Sequence, residues 1–309
     1  MEKRKRTNIS VNIAGIRFKN PVMNASGTFG SGMEYAEIVD LNKLGAVVTK
    51  GVSPEPWQGN PVPRVAETPS GMLNAIGLQN PGVEKFIERD LSFLSEYDTN
   101  VIVNVCGHTE DEYLRVVSRL KGIDRVDMLE LNFSCPNVKE GGIAFGLDPV
   151  KLEKVTEKIK KEADKPVIVK LSPNVTDISE MARAAEAGGA DAISLINTIT
   201  GMKIDINRRC FALANITGGL SGPAIRPIAV RMVYQAAGAV KIPVIGMGGI
   251  TNGEDAIEFL MAGATAVAVG MYNFRDPLAM LKIIDEIKEF LEEKGIADIS
   301  EITGCLSKS

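Results

Sequence analysis

The sequence predicts an eight-stranded parallel (β/α)8 TIM barrel with an N-terminal hairpin and long loops at one end. Short β-branched runs alternate with longer segments of helical period. Eight such runs can be counted, and no repeat at solenoid spacing competes with them. A barrel needs about 250 residues, so a chain of 309 leaves room for an arm and some loops but for no second full domain. Residues 1–309 are therefore expected to form one domain.

The expected strands are Val22–Ala25, Ala46–Lys50, Val101–Val105, Met128–Asn132, Val167–Leu171, Ala192–Asn197, Val244–Met247 and Ala266–Val269. Each is nearly all apolar, as strands covered on both faces must be. Ahead of them, Ile9–Phe18 with Ala14-Gly15 in its middle reads as a hairpin able to plug the bottom of the barrel. Thr109-x-x-Glu112 and Asp177-x-x-Glu180 have the form of capping boxes. The first opens a helix with Leu114, Val117 and Leu120 on its apolar face. Val83, Phe86, Ile87, Leu91 and Leu94 recur at helical spacing. Asp276-Pro277 is a cap followed by a first-turn proline, opening the last helix.

Composition excludes several functions. Lys and Arg number 35 against 39 Asp and Glu, and a net charge of -4 gives no pull toward nucleic acid or an anionic membrane. Lys3-Arg4-Lys5-Arg6 runs into polar Thr7-Asn8, which is not the apolar core of a signal peptide. No apolar stretch approaches the roughly 20 residues that span a bilayer, so a cytoplasmic protein is expected. The cysteines at 106, 135, 210 and 305 form no CxxC pair, and His108 is the single histidine. No metal or iron–sulfur site is expected on this chain. The cysteines are expected to be reduced and mostly buried.

Barrel chemistry sits at the C-terminal strand ends. There the sequence places Asn24-Ala25-Ser26-Gly27, Lys50-Gly51, Asn104, Asn132, Lys170, Asn197-Thr198, Gly248-Gly249 and Gly270. Several amides together suit a flat heterocycle with ring N–H and C=O groups. Glycines after the seventh and eighth strands let backbone N–H groups approach a phosphate. Cys135 follows the fourth strand among polar residues, ahead of the glycine-bearing segment Val138–Asp148, a candidate lid. The other cysteines read as inert. Thr198–Pro223 reads as a long functional loop. Within it Arg208-Arg209 reads as a solvated charge pair rather than a partner contact. His108 reads as a helix-entry residue.

Four motifs in order, Thr49-Lys50-Gly51, Leu73-Asn74-Ala-Ile-Gly77-Leu78-Gln-Asn80-Pro-Gly82, Asn132-Phe-Ser-Cys135-Pro-Asn137 and Ile245-Gly-Met-Gly248-Gly249, resemble the dihydroorotate dehydrogenases from Asn12 to about Asp285. The cysteine in Ser-Cys-Pro-Asn resembles class 1, and Val138–Gly146 resembles the NAD-linked class 1B rather than the fumarate-linked class 1A. The resemblance implies FMN contacts at Ser26, Lys50, Gly51, Asn104, Asn132, Lys170, Ile196, Gly222, Gly248, Gly249, Gly270 and Met271. It implies pyrimidine contacts at Lys50, Asn74, Ala75, Ile76, Gly77, Leu78, Asn132, Asn137, Asn197 and Thr198. Cys135 matches the family's base, taking the proton from C5 of dihydroorotate while the hydride from C6 passes to the flavin. Lys50 is assigned a place beside both flavin and substrate.

No GxGxxG fingerprint follows a strand. Class 1B resemblance therefore implies a separate subunit carrying FAD and a [2Fe–2S] cluster, in a heterotetramer built on a homodimeric core. A flavin-free alternative is a Schiff-base lyase using Lys50 or Lys170. It leaves Cys135 and the asparagines without a role. A non-catalytic barrel that docks an electron-transfer subunit is a further alternative, and the intact set of site residues argues against it; a third keeps the chemistry but passes the electrons to fumarate, as in class 1A.

Overall fold

A computed structural model of the chain describes residues 7–133 and 145–306. A hairpin of β1 (Val11–Ile13) and β2 (Ile16–Phe18) precedes the barrel. The barrel strands are β3 (Val22–Asn24) and β4 (Ala46–Val48), then, after β5 (Val65–Thr68) and β6 (Gly71–Asn74), β7 (Asn100–Val105), β8 (Met128–Asn132), β9 (Val167–Lys170) and β10 (Ala192–Leu195). The chain then forms β11 (Ile199–Met202), β12 (Ile204–Asp205), β13 (Cys210–Phe211) and β14 (Thr217–Ser221), and completes the barrel with β15 (Val244–Met247) and β16 (Ala266–Val269). β3, β4, β7, β8, β9, β10, β15 and β16 close into one parallel barrel in that order. All eight match predicted runs.

Four predicted runs end early, those closing at Asn24 and Lys170 by one residue and two others by two. Ala46–Lys50 leaves the ladder after Val48, and the Lys50 N–H turns to the Gly30 carbonyl. Ala192–Asn197 ends at Leu195, one residue before Ile196, which follows a cis peptide bond.

Helices wrap the outside, and caps fix where they start. The Thr109 hydroxyl accepts the Glu112 N–H and opens Glu110–Leu120. The Glu112 carboxylate reaches past the cap to the N–H of His108, whose ring lies 4.0 Å from that of Trp57. His108 is thus the helix-entry residue expected. Asp177 caps Ile178–Ala187 through the Ser179 N–H, without help from Glu180. Residues 83–94 are helical as predicted, with a π segment at Phe86–Leu91. The last helix begins at Ala279, because the Asp276 side chain and carbonyl hold the N–H groups of Leu278 and Ala279 and close a turn first.

Inside the barrel, Met23, Ala46, Ile102, Met128, Ile168, Ala192, Ile245 and Ala266 form one apolar cluster. Ile13 and Phe18 of the hairpin are fully buried against it. The hairpin therefore plugs the bottom, as its pattern predicted.

The largest departure lies at the opposite end. Thr198–Pro223 is not an open loop: β11 and β14 pair antiparallel, β14 pairs with β6, and β6 with β5. This four-stranded sheet stands over the mouth. Its strands hide from a search for apolar runs because β14 reads Thr-Gly-Gly-Leu-Ser and only one face is covered. The cysteine expectation also needs correction. Cys106 is buried, but Cys210, on the short hairpin of β12 and β13, and Cys305, near the chain end, are exposed. Among the described residues no helix is long and apolar enough to cross a membrane, and no cluster of His, Cys, Asp and Glu is placed to hold a metal ion.

Candidate active site

Strand alternation builds the site. On β8, Met128 faces the barrel interior, so Glu130 and Asn132 face it too, each one level higher. Register brings Asn104 of β7 beside Glu130, and Lys170 of β9 beside both Asn132 and Ser194 of β10. The polar side chains then connect. The Glu130 carboxylate accepts from Asn104 Nδ2 at 2.6 Å and from the Ser194 hydroxyl at 2.8 Å, with Lys170 Nζ 3.9 Å away. Asn104 Oδ1 accepts from Asn132 Nδ2 at 3.2 Å, and Lys170 donates to the Ser26 hydroxyl at 3.2 Å. Each of these buried groups thus has a partner, as burial requires.

Above this layer opens a cavity of about 400 Å³, the size of a small-molecule site. Ser26, Lys50, Gly51, Asn104, Asn132, Lys170, Ile196, Gly222, Gly248, Gly249, Gly270 and Met271 all line it. So do Asn74, Ile76, Gly77, Leu78, Asn197 and Thr198. Ala75 stands behind the wall, fully buried, with its N–H given to the Arg64 carbonyl. Cys135 and Asn137 lie outside the described residues, as does most of the candidate lid. Asn24 does not line the cavity. Its amide donates to the Val48 carbonyl at 2.6 Å and accepts the Val48 N–H at 3.0 Å, replacing ladder bonds between β3 and β4. Arg208 and Arg209 are exposed on the short hairpin, Arg208 within 3.8 Å of Asp205.

The electrostatics select for anions. Among the described residues Lys50, Arg64 and Lys170 line the cavity, and none of those lining it carries a carboxylate. Burial pushes the Lys50 ammonium below its ordinary pKa, and the Arg64 charge pushes it the same way. Arg64 is held at one edge by Gln79 and the Gln58 carbonyl. Strand-end reasoning misses it, because it precedes β5 in the covering sheet. Glu130 was legible, since any residue two before an inward-facing asparagine faces inward as well. Leu78 holds a left-handed backbone, φ 54°, pinned by the Asn80 amide on its carbonyl. A leucine in that region stores strain of the kind found at ligand clamps, about 1 kcal/mol.

The cavity fits the FMN that the sequence resemblance implies. At Gly249, φ 80°, an added Cβ would meet the Gly222 carbonyl oxygen at 2.8 Å, so packing already demands glycine there. Gly270 differs: a Cβ would meet only Ala25 Cβ at an ordinary 3.6 Å, and its bareness leaves room on the cavity side. A bare backbone rim suits a phosphate, three cations balance its charge, and the amides of Asn104 and Asn132 suit a ring edge bearing amide groups.

Comparison with known proteins points to the family that the four motifs resemble. The family model described as dihydroorotate dehydrogenase matches residues 8–291. A protein of Lachnoclostridium phytofermentans named dihydroorotate dehydrogenase B (NAD(+)), catalytic subunit, is 67% identical over 299 residues, covering 97% of this chain and 99% of its own. Proteins of the same name from Alkaliphilus oremlandii and Thermoanaerobacter pseudethanolicus are 61% and 56% identical, each again over 97% of this chain and 99% of its own. Among solved structures, that of DHODH from Eimeria tenella superposes with a TM-score of 0.82 at 24% identity, covering 98% of this chain and 90% of that one, a likeness of fold. With its barrel, its four motifs and a family match that runs nearly end to end, the chain belongs to the dihydroorotate dehydrogenase family.

Proposed function

We propose that the chain is the catalytic subunit of an NAD-linked dihydroorotate dehydrogenase, a single FMN-binding barrel domain over 1–309 that oxidises (S)-dihydroorotate to orotate in pyrimidine biosynthesis. One observation carries the reading: a cavity whose described lining has three cations, no carboxylate and amides from several strand ends, in a chain 67% identical to a protein of that name. When bound, FMN accepts the hydride from C6 of the substrate.

The chain's own residues orient, compensate charge and move the proton. Asn74, Ile76, Gly77, Leu78, Asn132, Asn197, Thr198 and Asn137 hold the pyrimidine, and Ala75 supports them from behind. Lys50 would contact both flavin and substrate and offset the substrate carboxylate. That anion offsets, by charge attraction, the burial that lowers the Lys50 pKa. Lys170 and Asn104 support the flavin ring, and Gly222, Gly248, Gly249, Gly270 and Met271 cradle its phosphate. Cys135 takes the proton from C5. A free thiol titrates near 8.5, so flavin reduction speeds up from neutral to alkaline pH, and Cys135→Ser keeps binding but slows reduction by orders of magnitude.

Electrons then leave for NAD+ through a second subunit bearing FAD and a [2Fe–2S] cluster, in a cytoplasmic heterotetramer with a homodimeric core. The word "subunit" in the relatives' names supports such a partner. The test is an anaerobic visible spectrum of the purified chain. A flavin band that dihydroorotate bleaches is expected, and a colourless protein that takes up no FMN refutes the reading. The lowered Lys50 pKa also favours a Schiff-base lyase; a borohydride-trapped substrate adduct on Lys50 would establish that instead.

A further inference from the structure

We propose that Glu130 is a positioning residue that fixes the Asn104 amide and sets a negative charge beside Lys170, and that this charge lowers the reduction potential of the flavin. The inference rests on the FMN reading above. Glu130 is 2% exposed, inside a barrel whose lower layers are apolar, and it does not line the cavity. A carboxylate so placed needs donors, and it has two, Asn104 Nδ2 and the Ser194 hydroxyl, with the Lys170 ammonium at 3.9 Å.

Two consequences follow from its chemistry. An ionised carboxylate only accepts, so Asn104 must turn its NH2 toward Glu130. Its Oδ1 is thereby committed to the other side, where Asn132 Nδ2 donates to it at 3.2 Å. The amide orientation of Asn104, a lining residue, is thus set by a residue that does not line the cavity, and Asn132 donates to the oxygen so placed. The second consequence is electrostatic. Lys170, 4% exposed, lies between Glu130 and the Ser26 hydroxyl at 3.2 Å. With both groups buried, the negative charge of Glu130 offsets part of the Lys170 charge. Negative charge gained by a flavin on reduction is then less stabilised than Lys170 alone would make it, and its electrons pass on more readily.

The test is the FMN midpoint potential of the holo subunit, measured by anaerobic equilibration with a reference dye, with FMN content per chain measured alongside. Glu130→Gln keeps the shape and removes the charge. It is expected to favour the reduced flavin about tenfold, a rise of about 30 mV for a two-electron couple. Glu130→Asp restores the charge and is expected to return the potential toward wild type. Ser194→Ala keeps the charge but removes a donor, so the potential is expected to fall. A purely structural Glu130 would lower stability and leave the potential alone. An unchanged potential in Glu130→Gln at full FMN content overturns the inference. Should that variant not fold, Ser194→Ala decides, and a rise or no change there overturns it. A wild-type chain that takes up no FMN refutes the flavin reading itself, which is a different outcome.

Discussion

Strand β8 enters the barrel at Met128 and leaves it at Asn132, and the interior changes character between those residues. At the bottom, Met128 meets Ile102, Ile168 and Ala192, and the hairpin seals them with Ile13 and Phe18. One level up, Glu130 meets Asn104, Ser194 and Lys170. The lower end satisfies itself by exclusion of water. The upper end satisfies itself by hydrogen bonds, and its described lining still presents three cations and no carboxylate to the cavity. The same eight strands therefore hold a region selected for stability below and one selected for charge above, where bound anions complete the compensation. Substitutions at the two ends should fail in different ways.

The largest effect is expected at the bottom. Phe18→Ala removes a fully buried ring that the plug cannot replace, and should lower unfolding free energy by about 3–5 kcal/mol in denaturant titration. The protein that remains folded should keep wild-type FMN content and KM. A KM that moves with the loss of stability would mean that the two ends are coupled rather than separate.

A smaller effect separates two asparagines that look alike in sequence. Asn24→Ala breaks both bonds to the Val48 backbone and leaves those groups buried, which should cost about 1–3 kcal/mol of stability with little change in ligand affinity. Asn132→Ala should show the reverse, weakening FMN and orotate binding more than it lowers the thermal midpoint. Equal stability losses at the two sites would erase the distinction.

That pair also shows how much of the molecule was legible in its sequence. The barrel strands were readable because burial on both faces leaves apolar runs that turn signals bracket. Asn24 and Asn132 both stand at the C-terminal end of barrel strands, and nothing local says that one amide bonds a neighbouring strand while the other faces the cavity. Most predicted lining residues converge because strand ends of a closed barrel have no other place to point. Arg64 was hidden, since it reaches the mouth from a sheet whose pairing of β14 with β6 joins segments about 145 residues apart. That pairing is tertiary, and β14 has too many glycines to announce itself as a strand. Ala75 falls within a binding motif yet faces away, because alternate residues of an extended segment take opposite sides.

The smallest effect has the opposite sign, and it tests the upper end most directly. Lys50 is charged, desolvated and beside Arg64 in the ligand-free chain, so its ammonium is stabilised less in the folded state than in the unfolded one. Lys50→Met removes that penalty and should raise the thermal midpoint of the ligand-free protein by roughly 1–3 °C while abolishing turnover. The pH dependence follows from the same shift. The folded pKa lies below the unfolded value of about 10.4, so between the two the unfolded chain holds more protons at this site, and stability contributed by Lys50 rises with pH through that interval. Below the lowered value the full penalty is present; above about 10.4 it is gone. The difference in unfolding free energy between Lys50→Met and wild type should therefore shrink as pH rises through the window, and orotate should shrink it at neutral pH by supplying the missing anion. If Lys50→Met is instead less stable than wild type at neutral pH without ligand, the charge at the mouth is already compensated within the protein, and the contrast between the two ends of the barrel fails at its upper end.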